Sequence, residues 1–342
     1  MALGPRVAVV LGLLLAIGAA PAAADPPSLL VTGPRGLYRA EVTAPHDRVL
    51  AFRLRRTGYG DVEVSPSGRI LVARAPGLDL NVRVLEVGGD GAVVRVAEPP
   101  PESCLSHTAI SPDGRQVSWA AAPQGPEGCG HPTTIHLATV DTGARLDLPA
   151  PALAGMFGTR SAFSRDGSLL LSTGRIQHRS VVRIFDTATG AVLRDVPRSW
   201  PTNLPAPGGR VVVRVVGPAR PGCRLVAVDP RSGAAPTCWD RSRRLTPSAA
   251  RTISASPDGR TLAWTEVRHG TSYVVLAPVR RPAHERVLGP ARTGPGRPRV
   301  HWVGNRFLAT VSPEDDSRAV LRVRDGRVVW QDPPPPFYGW SG

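Results

Sequence analysis

The chain has 342 residues, with 42 basic side chains against 27 acidic ones and a formal charge of +15. A chain this long buries enough surface to fold without disulfide or metal staples. Beyond the first two dozen residues no stretch is long and apolar enough to cross a bilayer, which excludes a membrane-spanning role for the body of the chain. Every basic residue is arginine, and so large a positive balance favours anionic polymers or anionic membrane surfaces as partners.

In chain order, "MALGPRVAVVLGLLLAIGAAPAAADPP" carries one early charge, Arg6, then an apolar run from Val7 to Ala20 and the small residues before Asp25. That layout predicts a secretory signal peptide over 1–24, cleaved after Ala24. The run is shorter than the roughly 20 residues that span a bilayer, which argues against a retained anchor. There is no cysteine at the cleavage site for a lipid anchor, and no twin-arginine pair,. The protein is therefore expected to be secreted, or extracytoplasmic.

After a segment with three strand-like runs, "LLVTGPRGLYRAEVTAPHDRVLAFRL" (29–54), one turn recurs. It stands in "VEVSPSGRILVA" (62–73), "TAISPDGRQVSW" (108–119), "SAFSRDGSLLLS" (161–172) and "TISASPDGRTLAW" (252–264). Proline sets φ for the first central position, Asp suits the second, and Gly takes the left-handed position that closes the hairpin. With the degenerate copies at Gly208 and Gly304, the marker glycines 68, 114, 167, 208, 259 and 304 lie 46, 53, 41, 51 and 45 residues apart. A second Gly turn follows in most units, at 91, 143, 190, 233 and 326. Alternating apolar residues flank both turns. Each unit thus reads strand, turn, strand, loop, strand, Gly turn, strand, which is a propeller blade repeated along the chain. The expected fold is all-β, a β-propeller of seven four-stranded blades counting the incomplete N-terminal one, with six as the alternative. One propeller domain is expected over 25–331, followed by a Pro/aromatic tail over 332–342. In that tail "FYGW" offers a missing inner strand.

The turns "SPSGR", "SPDGR", "SRDGS" and "SPDGR" resemble the TolB-type propeller repeat, a relative of the Trp-Asp-repeat propellers, over most of residues 60–330. The resemblance implies a binding platform in the cell envelope. It elsewhere accompanies a peptidase domain, for which this chain has no room.

Four cysteines allow three pairings. Their positions favour the two local ones, Cys104–Cys129 and Cys223–Cys238, as structural disulfides. No C-x-x-C, G-x-S-x-G, H-x-H or H-E-x-x-H pattern occurs, and Glu314, Asp315 and Asp316 lack calcium-loop spacing,. No catalytic, cofactor-binding or metal-binding residue is therefore assigned, and no cofactor is expected. Trp119 and Trp264 each fall five residues after a marker Gly and are expected to pack between blades. Arg69, Arg115, Arg260 and Arg306 follow the repeated turn, so a repeat places them on one face. There they pair locally with the turn aspartates or form a rim able to bind anions.

These features point to a non-enzymatic, monomeric binding platform whose partner is an envelope protein or an anionic cell-surface polymer, not nucleic acid. The alternative is a propeller hydrolase of the lactonase kind, using a metal at the channel mouth.

Overall fold

A computed structural model describes strands within 28–97 and, with gaps, residues 103–332; the gaps are 126–127, 130–133, 151–159, 177–178, 207–208, 216–222, 240–244, 246–248, 282–283, 294–297, 304 and 312–317. Side chains are described for Val96 and, with further gaps inside strands, from Leu105 onward. The signal-peptide segment, Arg69 and the "FYGW" return strand lie outside the described residues.

The strands form seven antiparallel sheets in chain order, five of them four-stranded. They cover 28–53, 62–97, 103–149, 161–197, 199–238, 254–293 and 299–332. The first has three strands, matching the three runs in the N-terminal segment, and the third gains a fifth, Gly128–Cys129, on its second strand. Each marker turn joins the first two strands of its sheet and each second Gly turn joins the last two. Where a sheet has both turns, they therefore lie at the same end of it. Among the described residues the single helix is Ala249–Thr252, between the fifth and sixth sheets.

Successive sheets touch through their first strands: Val62–Val64 with Ser103–Ile110, then Ser161–Phe163, Ser199–Pro205, Ser254–Ala255 and Arg299–Val303. That is the arrangement of a propeller, with first strands innermost.

Strand alternation explains the packing. Successive side chains point to opposite faces, and here each face meets a different neighbouring sheet. Leu169 and Leu171 pack with Val211 and Val213 of the fifth sheet, whereas Leu170 packs with Ala120 and Leu137 of the third. Val212 faces the other way, onto Leu262 of the sixth sheet, and Ala263 lies with Leu308 of the seventh. The core is thus a series of slabs between sheets, and strands buried on both faces need the continuous apolar runs seen in "LLL" and "VVV". Each buried Leu or Val contributes about 1.5–3 kcal/mol. Trp119 lies with Val96 of the second sheet and Trp264 with Leu204 of the fifth, so both fill blade-to-blade contacts.

Cys223 and Cys238 form a disulfide, with Cα atoms 5.7 Å apart. Cys238 stands opposite Val226 in the ladder rather than opposite Cys223. The bond therefore ties the two-residue outer strand Thr237–Cys238 to the segment leading into Leu225–Val228. The side chains of Cys104 and Cys129 lie outside the described residues.

Candidate functional site on the turn face

The repeated turn owes its recurrence to a hydrogen-bond motif present in three copies. Ser111, Ser164 and Ser256 each donate Oγ–H to the Oδ1 of the Asp two residues on, at 2.6 Å in all three. The same Oδ1 accepts the backbone N–H of Arg115, Ser168 or Arg260, at 3.0, 3.1 and 3.0 Å. The serine Oγ in turn accepts the N–H of Gln116, Leu169 or Thr261 at the start of the second strand. Gly114, Gly167 and Gly259 supply the left-handed φ, between 64 and 73°. In this way the short polar side chains satisfy the backbone that a tight turn leaves unpaired.

The aspartates are charged and engaged inside their own turns. Partial burial pushes the Asp113 and Asp166 carboxyls up, but the hydroxyl and backbone N–H bonds outweigh it, so both end below the ordinary carboxylate range. For Asp258 the Ser256 hydroxyl is the chief cause of the same downward shift. The nearby charges of Arg115 and Arg260 add to the downward shift of Asp113 and Asp258. Arg115, Arg260 and Arg306 are exposed, and none of their guanidinium groups has a hydrogen bond or salt bridge among the described residues. Their backbone positions are equivalent: their carbonyls accept the N–H of Val140, Val279 and Val323 at 2.8, 2.9 and 2.8 Å. In the fourth sheet the carbonyl of Ser168 does the same for Thr187, at 3.0 Å. The fold thus brings Arg115, Arg260 and Arg306 to one face.

Two further arginines belong here. Arg165 occupies the place that Pro112 and Pro257 hold in the other turns. Its Nη2 donates to the Pro257 carbonyl at 3.0 Å, joining the turn of the fourth sheet to that of the sixth. Arg210 follows the degenerate turn of the fifth sheet and is exposed. The signals for both were in the sequence: an Arg replacing the repeat's Pro, and an Arg at the start of a second strand. Other arginines are structural. Arg194 donates to the Asp229 and Ala234 carbonyls at 3.0 and 2.7 Å, Arg286 to those of Arg324 and Val323 at 3.0 and 2.9 Å, and Arg231 pairs with Asp186 at 2.9 Å, each linking neighbouring sheets.

Between the third and fourth sheets the turn face holds a cleft of about 310 Å³, lined by Asp113, Arg115, Gln116, Asp166, Ser168 and Thr187 among others. Its walls are polar and of both charges. Among the described residues no group of three or more His, Cys, Asp or Glu side chains could hold a metal ion. Among the described residues one serine–histidine contact is found, Ser172 Oγ to His107 Nδ1 at 2.6 Å, with Ser161 Oγ donating to Ser172 Oγ at 3.2 Å. Ser172 is wholly buried and His107 is 1% exposed, so no substrate reaches this pair. It is a contact between the third and fourth sheets.

No protein-family model matches the chain, and comparison with curated proteins finds no match. Solved structures do resemble it. A chain of the "Mitotic Checkpoint Complex" shares 12% identity over 95% of this chain and 88% of its own, with a TM-score of 0.51. "Oligogalacturonate lyase in complex with manganese" shares 13% over 88% and 83%, with a TM-score of 0.54. TolB from Acinetobacter baumannii shares 14% over 88% and 80%, at 0.42. At such identities likeness speaks for the fold alone, and the fold is a β-propeller.

Proposed function

We propose that the protein is a non-enzymatic β-propeller binding platform acting outside the cytoplasm, and that its turn face holds an envelope protein or an anionic cell-surface polymer. The observation that carries this reading is the division of labour on that face. Its turn aspartates are engaged internally, while Arg115, Arg260 and Arg306 present guanidinium groups from equivalent positions of three sheets. Guanidinium forks suit bidentate binding of phosphate and carboxylate, and a rigid sheet behind each turn fixes their spacing. The disulfide Cys223–Cys238 and the signal-like segment 1–24 support a place outside the reducing cytoplasm.

The test is to incubate purified protein with envelope fractions at about 0.1 M and then about 1 M salt, across which screening shortens from roughly 10 Å to roughly 3 Å. Capture that is lost at high salt, and lost at low salt in an Arg115→Ala/Arg260→Ala/Arg306→Ala variant, is expected. Capture by the triple variant at the wild-type level would overturn the arginine rim. Turnover of a substrate by the purified protein would overturn the non-enzymatic reading.

A further inference from the structure

The end of the sheets away from the turns carries the less compensated charge. Each four-stranded sheet sends to that end the start of its first strand, the link between its second and third strands, and the end of its fourth. For the fourth and fifth sheets these stretches are 150–160, 177–179, 198 and 216–224, which contain five arginines and no Asp or Glu. At the turn end of the same two sheets Asp166, Asp186 and Asp229 stand among Arg165, Arg210 and Arg231. In the sixth sheet the arginine away from the turns, Arg268, is paired with Glu266 at 2.7 Å.

Three arginines stand where a first strand begins, and so nearest the propeller axis. Arg160 immediately precedes Ser161–Phe163, Arg198 immediately precedes Ser199–Pro205, and Arg299 opens Arg299–Val303. All three are exposed, and none of their guanidinium groups has a hydrogen bond or ion pair among the described residues. Their backbones are anchored. The N–H of Arg160 donates to Thr173 Oγ1 at 2.6 Å, and its carbonyl accepts the N–H of Thr173 at 2.9 Å. The N–H of Arg198 donates to the Ser180 carbonyl, and its φ is 52°. That left-handed backbone suits glycine and strains a long side chain, yet the position holds a cation. Two residues on, Trp200 carries the Arg214 guanidinium 5.7 Å from its ring centroid, adding a further positive charge.

We infer that this end of the propeller binds a linear polyanion, a chain of phosphate or carboxylate groups whose successive charges meet Arg160, Arg198 and Arg299. Guanidinium forks hold such oxyanions bidentately, and stretches free of acids leave their positive potential uncancelled. An anionic membrane would also be drawn to such a face, but interfacial binding needs apolar side chains that enter the headgroup layer. Among the described residues the exposed large apolar side chains Leu146, Val192, Val287, Val328 and Val329 stand at the start of fourth strands, hence at the turn end, and Val267 alone lies at the arginine end. The site uses none of the turn-face arginines, so it stands or falls separately from the platform reading above.

The experiment is fluorescence anisotropy with fluorescein-labelled polyphosphate and polyglutamate at about 0.1 M salt. The protein used carries Arg115→Ala/Arg260→Ala/Arg306→Ala, so that the turn rim does not contribute. Saturable binding is expected, and the polymer held more tightly identifies the oxyanion. Adding Arg160→Gln/Arg198→Gly/Arg299→Gln is expected to weaken binding at least about tenfold and to flatten its salt dependence. Glycine suits the left-handed backbone at 198, so this variant should unfold at no lower temperature than its parent. Adding instead Arg280→Gln/Arg281→Gln/Arg327→Gln, which removes the same charge from the turn end, should change binding by less than about twofold. Equal losses in the two variants would make binding a matter of net charge and overturn the proposal. So would absence of binding to either polymer, or binding to phosphatidylglycerol vesicles with none to the polymers. If wild-type protein captures envelope material but ignores both polymers, this site fails and the platform stands. If the polymers bind through these three arginines while envelope capture is absent, the platform fails and this site stands.

Discussion

His107 is the residue whose chemistry the fold changes most. It sits in a bulge of the strand Ser103–Ile110, with φ of 55°, and is almost completely buried. Burial disfavours the imidazolium and lowers its pKa from 6.5 to about 4,. In the unfolded chain the ring takes its proton near pH 6.5; in the folded chain it does not until about pH 4. Between those values the unfolded state binds more protons, so stability falls as pH falls. Urea unfolding of the wild type should therefore show a loss of about 2 kcal/mol from this group between pH 7 and pH 5. In His107→Asn, which keeps a residue tolerant of positive φ, that part of the pH dependence should vanish. An unchanged slope would mean that other groups set it. The turn aspartates act in a lower window. Their carboxyls are held below the usual range, so their stabilisation is present above the ordinary carboxylate pKa and is lost only as pH falls through the lowered folded value.

At the scale of the element, the turns differ in what lies around them. Gly143 and Gly326 occupy the same place in their hairpins, with φ of 69 and 73°. A Cβ at Gly143 would meet nothing within 4 Å, whereas at Gly326 it would run into the backbone carbonyl of Leu288 in the sheet before. Gly143→Ala should cost about 1–2 kcal/mol from backbone strain alone. Gly326→Ala should cost clearly more, because a backbone carbonyl cannot swing aside. Thermal unfolding of the two variants side by side checks this, and equal losses would refute it. The fifth sheet offers another element-scale test. Its outer strand has two residues, and the disulfide closes a 15-residue separation. Cys223→Ala/Cys238→Ala should lower stability by about 3 kcal/mol, read as a fall in urea midpoint.

At the scale of the whole molecule, the repeat makes equivalent positions recur on one face while separating them by whole sheets. Arg115, Arg260 and Arg306 share no partner, so their single alanine variants should reduce envelope binding independently. The three effects should sum to that of the triple variant within about 0.5 kcal/mol, as read from dissociation constants. A shortfall well beyond that would mean that one ligand group spans two of them.

The sequence by itself determined the strand order, the place of every marker turn and the slab-like core. These depend on local turn chemistry and on the period of two, which act over a few residues and recur from sheet to sheet. It also put Arg115, Arg260 and Arg306 on one face, since equivalent residues of a repeat lie alike. What only the tertiary structure decided was which partner each polar group takes. Asp113 and Asp258 were as compatible with a hydrogen bond from a neighbouring guanidinium as with one from a serine hydroxyl; the turn's geometry gives the hydrogen bond to the serine and leaves Arg115 and Arg260 to act through their charge. Arg165 crosses from the fourth sheet to the sixth. Such contacts join residues remote along the chain, so no local pattern encodes them; they exist because the sheets pack around a common axis.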